Sequence, residues 1–132
     1  MNELRRWIPF GAVFFLLIGC ARRIPPEYEY PQGWITNLAK EHAVVQSLSG
    51  VVKDGSGAPI HFVLVERMSS DFKLRIEATL TDEKDTFRFR HADAGNHYLR
   101  FRFRGFNDYE IPVIVSPKAK KHDLTIGMSV SS

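Results

Sequence analysis

The chain has 132 residues, 44 % of them hydrophobic and 25 % charged, enough for one domain with a single core and too few for two. Its formal charge of +3 is too mild to argue for nucleic-acid binding. With only one cysteine no internal disulfide is available, so stability has to come from packing.

The N-terminus has the parts of an export signal: a basic head at Arg5 and Arg6, then an apolar run from Trp7 to Ile18 interrupted by Pro9 and Gly11. That run is too short to span a bilayer, which takes about 20 apolar residues, and nothing after it supplies such a stretch. It closes on Leu17-Ile18-Gly19-Cys20. This arrangement resembles the cleavage and lipidation box of bacterial lipoproteins, in which a small residue precedes the cysteine. The resemblance implies that residues 1–19 are removed, that Cys20 is acylated, and that the chain is anchored to a membrane through it. Each buried methylene contributes about 0.8 kcal/mol, so a multiply acylated cysteine holds without help from the rest of the chain. Arg5-Arg6 also hints at twin-arginine export, but the residues around it match that signal poorly, and Sec export is the expectation. Ala21 rather than Asp follows the cysteine. In a Gram-negative cell that implies the outer membrane, with the protein facing the periplasm or the cell surface.

Residues 20–43 are expected to be a linker. Pro25, Pro26 and Pro31 disfavour helix and central strand, so Ala21 to Gly33 reads as a tether holding the domain off the membrane, with Arg22 and Arg23 near anionic headgroups. Trp34 and Leu38, one helical turn apart, suggest a short helix or turn. From Val44 the period changes to two, and residues 44–132 form the predicted all-β domain of about seven strands. The expected strands cover residues 44–53, 60–67, 72–80, 86–91, 96–104, 109–115 and 122–130, and Asp54 to Gly57 supplies a turn. Residues 60–67, a nearly unbroken apolar run, read as a strand buried on both sides or one contacting a helix. Residues 86–91 and 96–104 are expected to pair as a hairpin. Pro112 cannot donate to a ladder, which predicts an edge strand or a bulge there.

Three stretches resemble the carboxypeptidase regulatory-like domain, a transthyretin-like Greek-key β-sandwich. They are Ser49-Gly50-Val51-Val52-Lys53-Asp54-Gly55-Ser56-Gly57-Ala58-Pro59-Ile60, then Ala78-Thr79-Leu80-Thr81-Asp82 running into Phe87-Arg88-Phe89, then Ala94-Gly95-Asn96-His97-Tyr98-Leu99-Arg100-Phe101. Asp85-Thr86 stands where the family has glycine before Phe-x-Phe, which implies a different turn. The resemblance covers roughly residues 46–130 and implies a seven-stranded sandwich acting as a structural, adaptor or binding module. Transthyretin-like folds include hydroxyisourate hydrolases, but their terminal Tyr-Arg-Gly-Ser signature is absent: this chain ends Gly127-Met128-Ser129-Val130-Ser131-Ser132. A fold shared with an enzyme says little where the site is missing.

Alternation puts Phe87, Phe89, Phe101 and Phe103 on one face, as core, and Arg88, Arg90, Arg100, Arg102 and Arg104 on the other. Two readings stand for those arginines. Their forks suit carboxylates and phosphates, so a ladder of them would bind an anionic glycan, a lipid headgroup or an acidic protein patch. Alternatively they form a solvated face paired with Glu77, Glu110 or nearby acids.

The five histidines, His42, His61, His91, His97 and His122, lack ligand spacing for zinc. Asp82, Glu83 and Asp85 lack the spacing and glycine of an EF-hand, and Ser56 lacks a nucleophile elbow. No catalytic residue, metal or cofactor is expected. The expectation is a non-catalytic envelope lipoprotein that binds a partner protein, with a carbohydrate-binding module as the alternative. Trp34, Phe106, Tyr109, Tyr28 and Tyr30 decide between them, because glycan binding needs exposed rings; Phe106, in an expected loop, is the foremost surface candidate.

Overall fold

The structure, a computed structural model, describes residues 23–131. The expected signal peptide and the expected lipidation of Cys20 lie outside the described residues. Among these the fold is all-β, with nine strands: β1 (Thr36–Leu38), β2 (Ala43–Val45), β3 (Ser49–Asp54), β4 (Leu64–Met68), β5 (Arg75–Leu80), β6 (Thr86–Arg88), β7 (Gly95–Arg102), β8 (Asp108–Val115) and β9 (Leu124–Met128). They form two mixed sheets. The larger runs β1-β8-β7-β4-β5, with β2 also on β8; the smaller runs β6-β3-β9. Parallel pairs are β1 and β2 with β8, and β3 with β9.

One apolar core is shared by both sheets. Val65, Leu99, Phe101, Ile111 and Val113 enter it from the larger, and Val52, Phe87, Leu124, Ile126 and Met128 from the smaller. Phe87 meets Phe101 edge to face, with centroids 5.4 Å apart. Such pairs add about 0.5–1.5 kcal/mol beyond burial itself.

Each expected strand segment contains a strand, but the first is interrupted. The chain leaves the larger sheet after β2 and joins the smaller at β3, and residues 46–48 make the crossing. Gln46 and Ser47 donate their N–H groups to the carbonyls of Lys121 and His122, while Leu48 fills the core. The expected turn forms as read: the Asp54 carboxylate accepts from Ser56 N, Ser56 Oγ and Ala58 N at 2.7–3.0 Å.

Three expectations are corrected. The hairpin of residues 86–91 with 96–104 does not form, because β6 pairs with β3 whereas β7 lies between β4 and β8. Both segments alternate Phe with Arg, and that pattern is met equally well by strands in separate sheets whose phenylalanines meet in the core. Second, β8 is an interior strand despite Pro112. Ala39 N–H bonds the Glu110 carbonyl, so by alternation the Pro112 nitrogen also points toward β1 and β2. β1 ends opposite Glu110 and β2 begins opposite Val113, so the missing donor falls in the gap between them. Third, residues 34–43 contain no helix; Thr36–Leu38 is a strand on β8.

Nor do residues 29–38 stand off as a spacer. Glu29 bonds Arg75 of β5, Tyr30 Oη donates to the Phe62 carbonyl at 2.8 Å, and Gly33 N donates to Asp108 Oδ1 at 3.1 Å. The segment crosses the outer face of the larger sheet from the β5 side to the β8 side and there becomes β1. A Cβ at Gly33 would lie 2.9 Å from the Phe106 carbonyl oxygen, so only glycine permits this approach. β4 is accordingly buried on both sides, with Val65 toward the core and Leu64, Glu66 and Met68 beneath the covered face.

Candidate functional site

The arginines divide into two groups. Arg100 and Arg102 leave β7 away from the core, where β4 and β8 supply two buried carboxylates. Arg100 Nε donates to Glu66 Oε1 at 2.8 Å, and Arg102 Nε to Asp108 Oδ2 at 2.9 Å. Arg75 reaches Glu66 Oε2 through Nε at 3.0 Å and through Nη2 at 2.8 Å, and forms a two-pronged pair with Glu29 at 2.7 and 2.9 Å. Burial alone would raise the Glu66 pKa, but the hydrogen bonds and charges of Arg100 and Arg75 outweigh it and hold the carboxyl below its ordinary range. Glu29 is lowered chiefly by its hydrogen bond to Arg75. Glu110, opposite Arg100 in the ladder, is pushed up because burial outweighs the neighbouring arginines. This network braces the outer face. Its arginines are committed internally, to Glu66 and Asp108 rather than to Glu77 or Glu110; Glu77 instead takes Arg67.

Arg88, Arg90 and Arg104 are exposed. Arg88 and Arg90 have no hydrogen-bond or ion-pair partner among the described residues and border a groove of about 880 Å³ between β5 and β6. Arg104 sits in the turn after β7, beside a separate hollow of about 410 Å³ that Trp34, Phe103 and Phe106 also line. The candidate ladder therefore does not assemble.

Beyond Trp34, which lines that second hollow, several apolar side chains on and near β1 are exposed. Trp34 is 90 % exposed, and Ile35, Leu38 and Val130 are more than half exposed. The Ile35 carbonyl accepts from Asp108 N, Asn37 Nδ2 donates to Ser129 Oγ at 3.0 Å, and Phe106 bridges Val130, so these residues surround one turn, Phe103 to Asp108. Phe106 itself is half-buried and packs on Phe103 with centroids 5.7 Å apart. Tyr30 is buried, and Tyr28 and Tyr109 are half-buried, with Tyr28 lying over Phe62. Trp34 is thus the one largely exposed ring of the five. The carboxylates that hold Arg100 and Arg102 escaped the sequence reading, although Glu66 as the single acid in a buried run signals a required cation.

No group of three or more His, Cys, Asp or Glu side chains among the described residues is placed to share a metal ion. No described helix is long and apolar enough to cross a membrane.

No protein-family model matches the chain, and no curated protein matches it. Among solved structures it is similar to 3-chlorocatechol 1,2-dioxygenase from Rhodococcus opacus 1CP, with a TM-score of 0.41 and 11 % identity over 77 % of this chain and 66 % of that one. The chain therefore spans slightly less than two thirds of that enzyme. A likeness of this order carries no functional argument.

Proposed function

We propose that this protein is a non-catalytic lipoprotein, anchored by Cys20 in the outer membrane, that binds another envelope protein through the surface around Trp34. Its two sheets are read as a β-sandwich of the transthyretin-like, carboxypeptidase regulatory-like type, to which β1 and β2 are added. The observation that carries the binding role is Trp34, 90 % exposed among Ile35, Leu38 and Val130 and beside Arg104. Tryptophan and arginine dominate the energetic centres of protein interfaces, and apolar side chains left in water at a short edge strand suit an added strand or a flat partner face. The alternative, an envelope glycan, calls for several exposed rings, and of the five rings that decide between the readings Trp34 alone is largely exposed.

Crosslinking and recovery from intact envelopes test the proposal, with wild type compared to Trp34→Ala and to Leu38→Asp. Trp34→Ala should weaken partner binding by at least about 2 kcal/mol, roughly 30-fold, with thermal unfolding unchanged because the ring makes few contacts. Full recovery of the partner by both variants would sink the proposal. Binding of envelope polysaccharide by the purified chain, lost in Trp34→Ala with no protein captured, would favour the glycan.

A further inference from the structure

The groove between β5 and β6 lies on the other edge of the larger sheet from β1, away from Trp34. Its charges are unbalanced. Glu29 is taken by Arg75 and Glu77 by Arg67, and Asp82 is held by Thr86 and the Lys84 amide; Arg23, Arg88 and Arg90 are left against Asp82 alone. On the same edge Leu74 and Ile76 are exposed by 70 % and 56 %. The edge thus offers apolar side chains flanked by guanidinium groups without a partner among the described residues. Arg23, which lines the groove with Ile24, is three residues from Cys20 in sequence, and three extended residues reach about 11 Å at most. With Arg23 and Ile24 against the groove and the chain fastened again at Glu29, nine residues from Cys20, an acyl chain on Cys20 is leashed within about 30 Å of this edge.

We infer that the β5–β6 edge is the membrane-facing surface of the domain, with Arg23, Arg88 and Arg90 bound to phosphate groups of anionic lipids and Leu74 and Ile76 entering the headgroup layer. The inference rests on the proposed acylation of Cys20. Arginine forks take phosphate oxygens in pairs while their stems lie along apolar surface, and each basic residue near an anionic leaflet adds about 1 kcal/mol. An extended acidic peptide added to β5 fits less well. The register shift between Arg67 and Met68 makes Ile76 an extra, bulged residue and breaks the edge as a template for pairing. The orientation leaves the Trp34 surface turned away from the bilayer.

Once residues 1–19 are removed, Trp34 is the only tryptophan of the chain, because Trp7 lies in the leader. This provides the test. The mature acylated protein, with modification of Cys20 verified by mass spectrometry, is reconstituted in phosphatidylcholine–phosphatidylglycerol vesicles with brominated acyl chains, which quench only nearby indoles. Wild-type emission from Trp34 should be unaffected, whereas the W34F/I76W variant should lose emission. W34F/L74W serves if the former proves misfolded by circular dichroism. Adding R88E/R90E, or raising the salt, should restore emission from the indole at 76 without detaching the protein. Equal quenching at both positions, no quenching at 76 on an acylated chain, or protection of that indole only by an added envelope protein would overturn the orientation while sparing the anchor. An unmodified Cys20 would overturn the anchor and the orientation together.

Discussion

Glu66 is 2 % exposed in the middle of β4, and its carboxylate is bearable there only because Arg100 and Arg75 meet both oxygens. Removing one member of a buried ion pair typically costs about 3–5 kcal/mol, since the survivors are left uncompensated. Arg75 keeps about a third of its surface in water and also holds Glu29, so Glu66→Gln should fall at the low end, about 3 kcal/mol at neutral pH. The sign of the pH dependence follows from the lowered pKa. Glu66 titrates lower folded than unfolded, so its contribution is present above its ordinary value of 4.5 and is lost as pH falls through the lower folded value. Urea unfolding of wild type and Glu66→Gln should therefore differ strongly at neutral pH and converge in acid. A gap that persisted undiminished in acid would mean that shape rather than charge holds β4 in place.

β3 and β9 run parallel, and Gly50 makes their contact possible: a Cβ there would collide with the Leu124 carbonyl oxygen. Backbone cannot yield as a flexible side chain does, so Gly50→Ala should destabilise by about 1–3 kcal/mol, the range of overpacked sites, and a thermal midpoint unchanged from wild type would refute this. Gly50 was legible in the sequence as part of a family-like Gly-Val-Val run, but not the reason for it, because Leu124 is remote along the chain. The same limit runs through the fold. Alternation identified Phe87, Phe89 and Phe101 as core, since the face of a strand is decided locally, whereas Phe103, placed with them, packs against the core only half-buried. Which strand lies beside which is decided by contacts far apart in sequence, and so β6 and β7, alike in pattern, were placed together although they belong to different sheets. The arginines failed likewise: Arg100 finds its partner 34 residues away. Pro112 was read as a sign of an edge or a bulge, but an interrupted neighbour, β1 then β2, meets the same need inside a sheet.

For the molecule as a whole, the decisive feature is that residues 29–38 are part of the folded body, which sets where an anchor on Cys20 leaves it. Before the chain reaches Gly33 and β1, two side chains fasten the crossing, Glu29 and Tyr30. The Glu29–Arg75 pair is largely solvated, with side chains 41 % and 34 % exposed, and exposed pairs contribute about 1 kcal/mol or less. Tyr30 is buried, packs on Phe103 at 5.2 Å and bonds the Phe62 carbonyl. Phe62 has φ +60, a left-handed conformation that costs a bulky residue of order 1–3 kcal/mol, and it is held between that hydrogen bond and the Tyr28 ring. Tyr30 should therefore dominate. Tyr30→Ala is expected to cost about 3 kcal/mol, by analogy with large aromatic truncations, and Glu29→Ala less than about 1 kcal/mol. If the crossing belongs to the cooperative unit, Tyr30→Ala lowers the urea midpoint in a single transition with the slope retained. A reduced slope, or protease cleavage between residues 23 and 33 while the remainder stays folded, would show instead that the crossing detaches on its own. An anchor at Cys20 would then reach the domain through a long flexible leash, and the orientation proposed for the β5–β6 edge would lose its support.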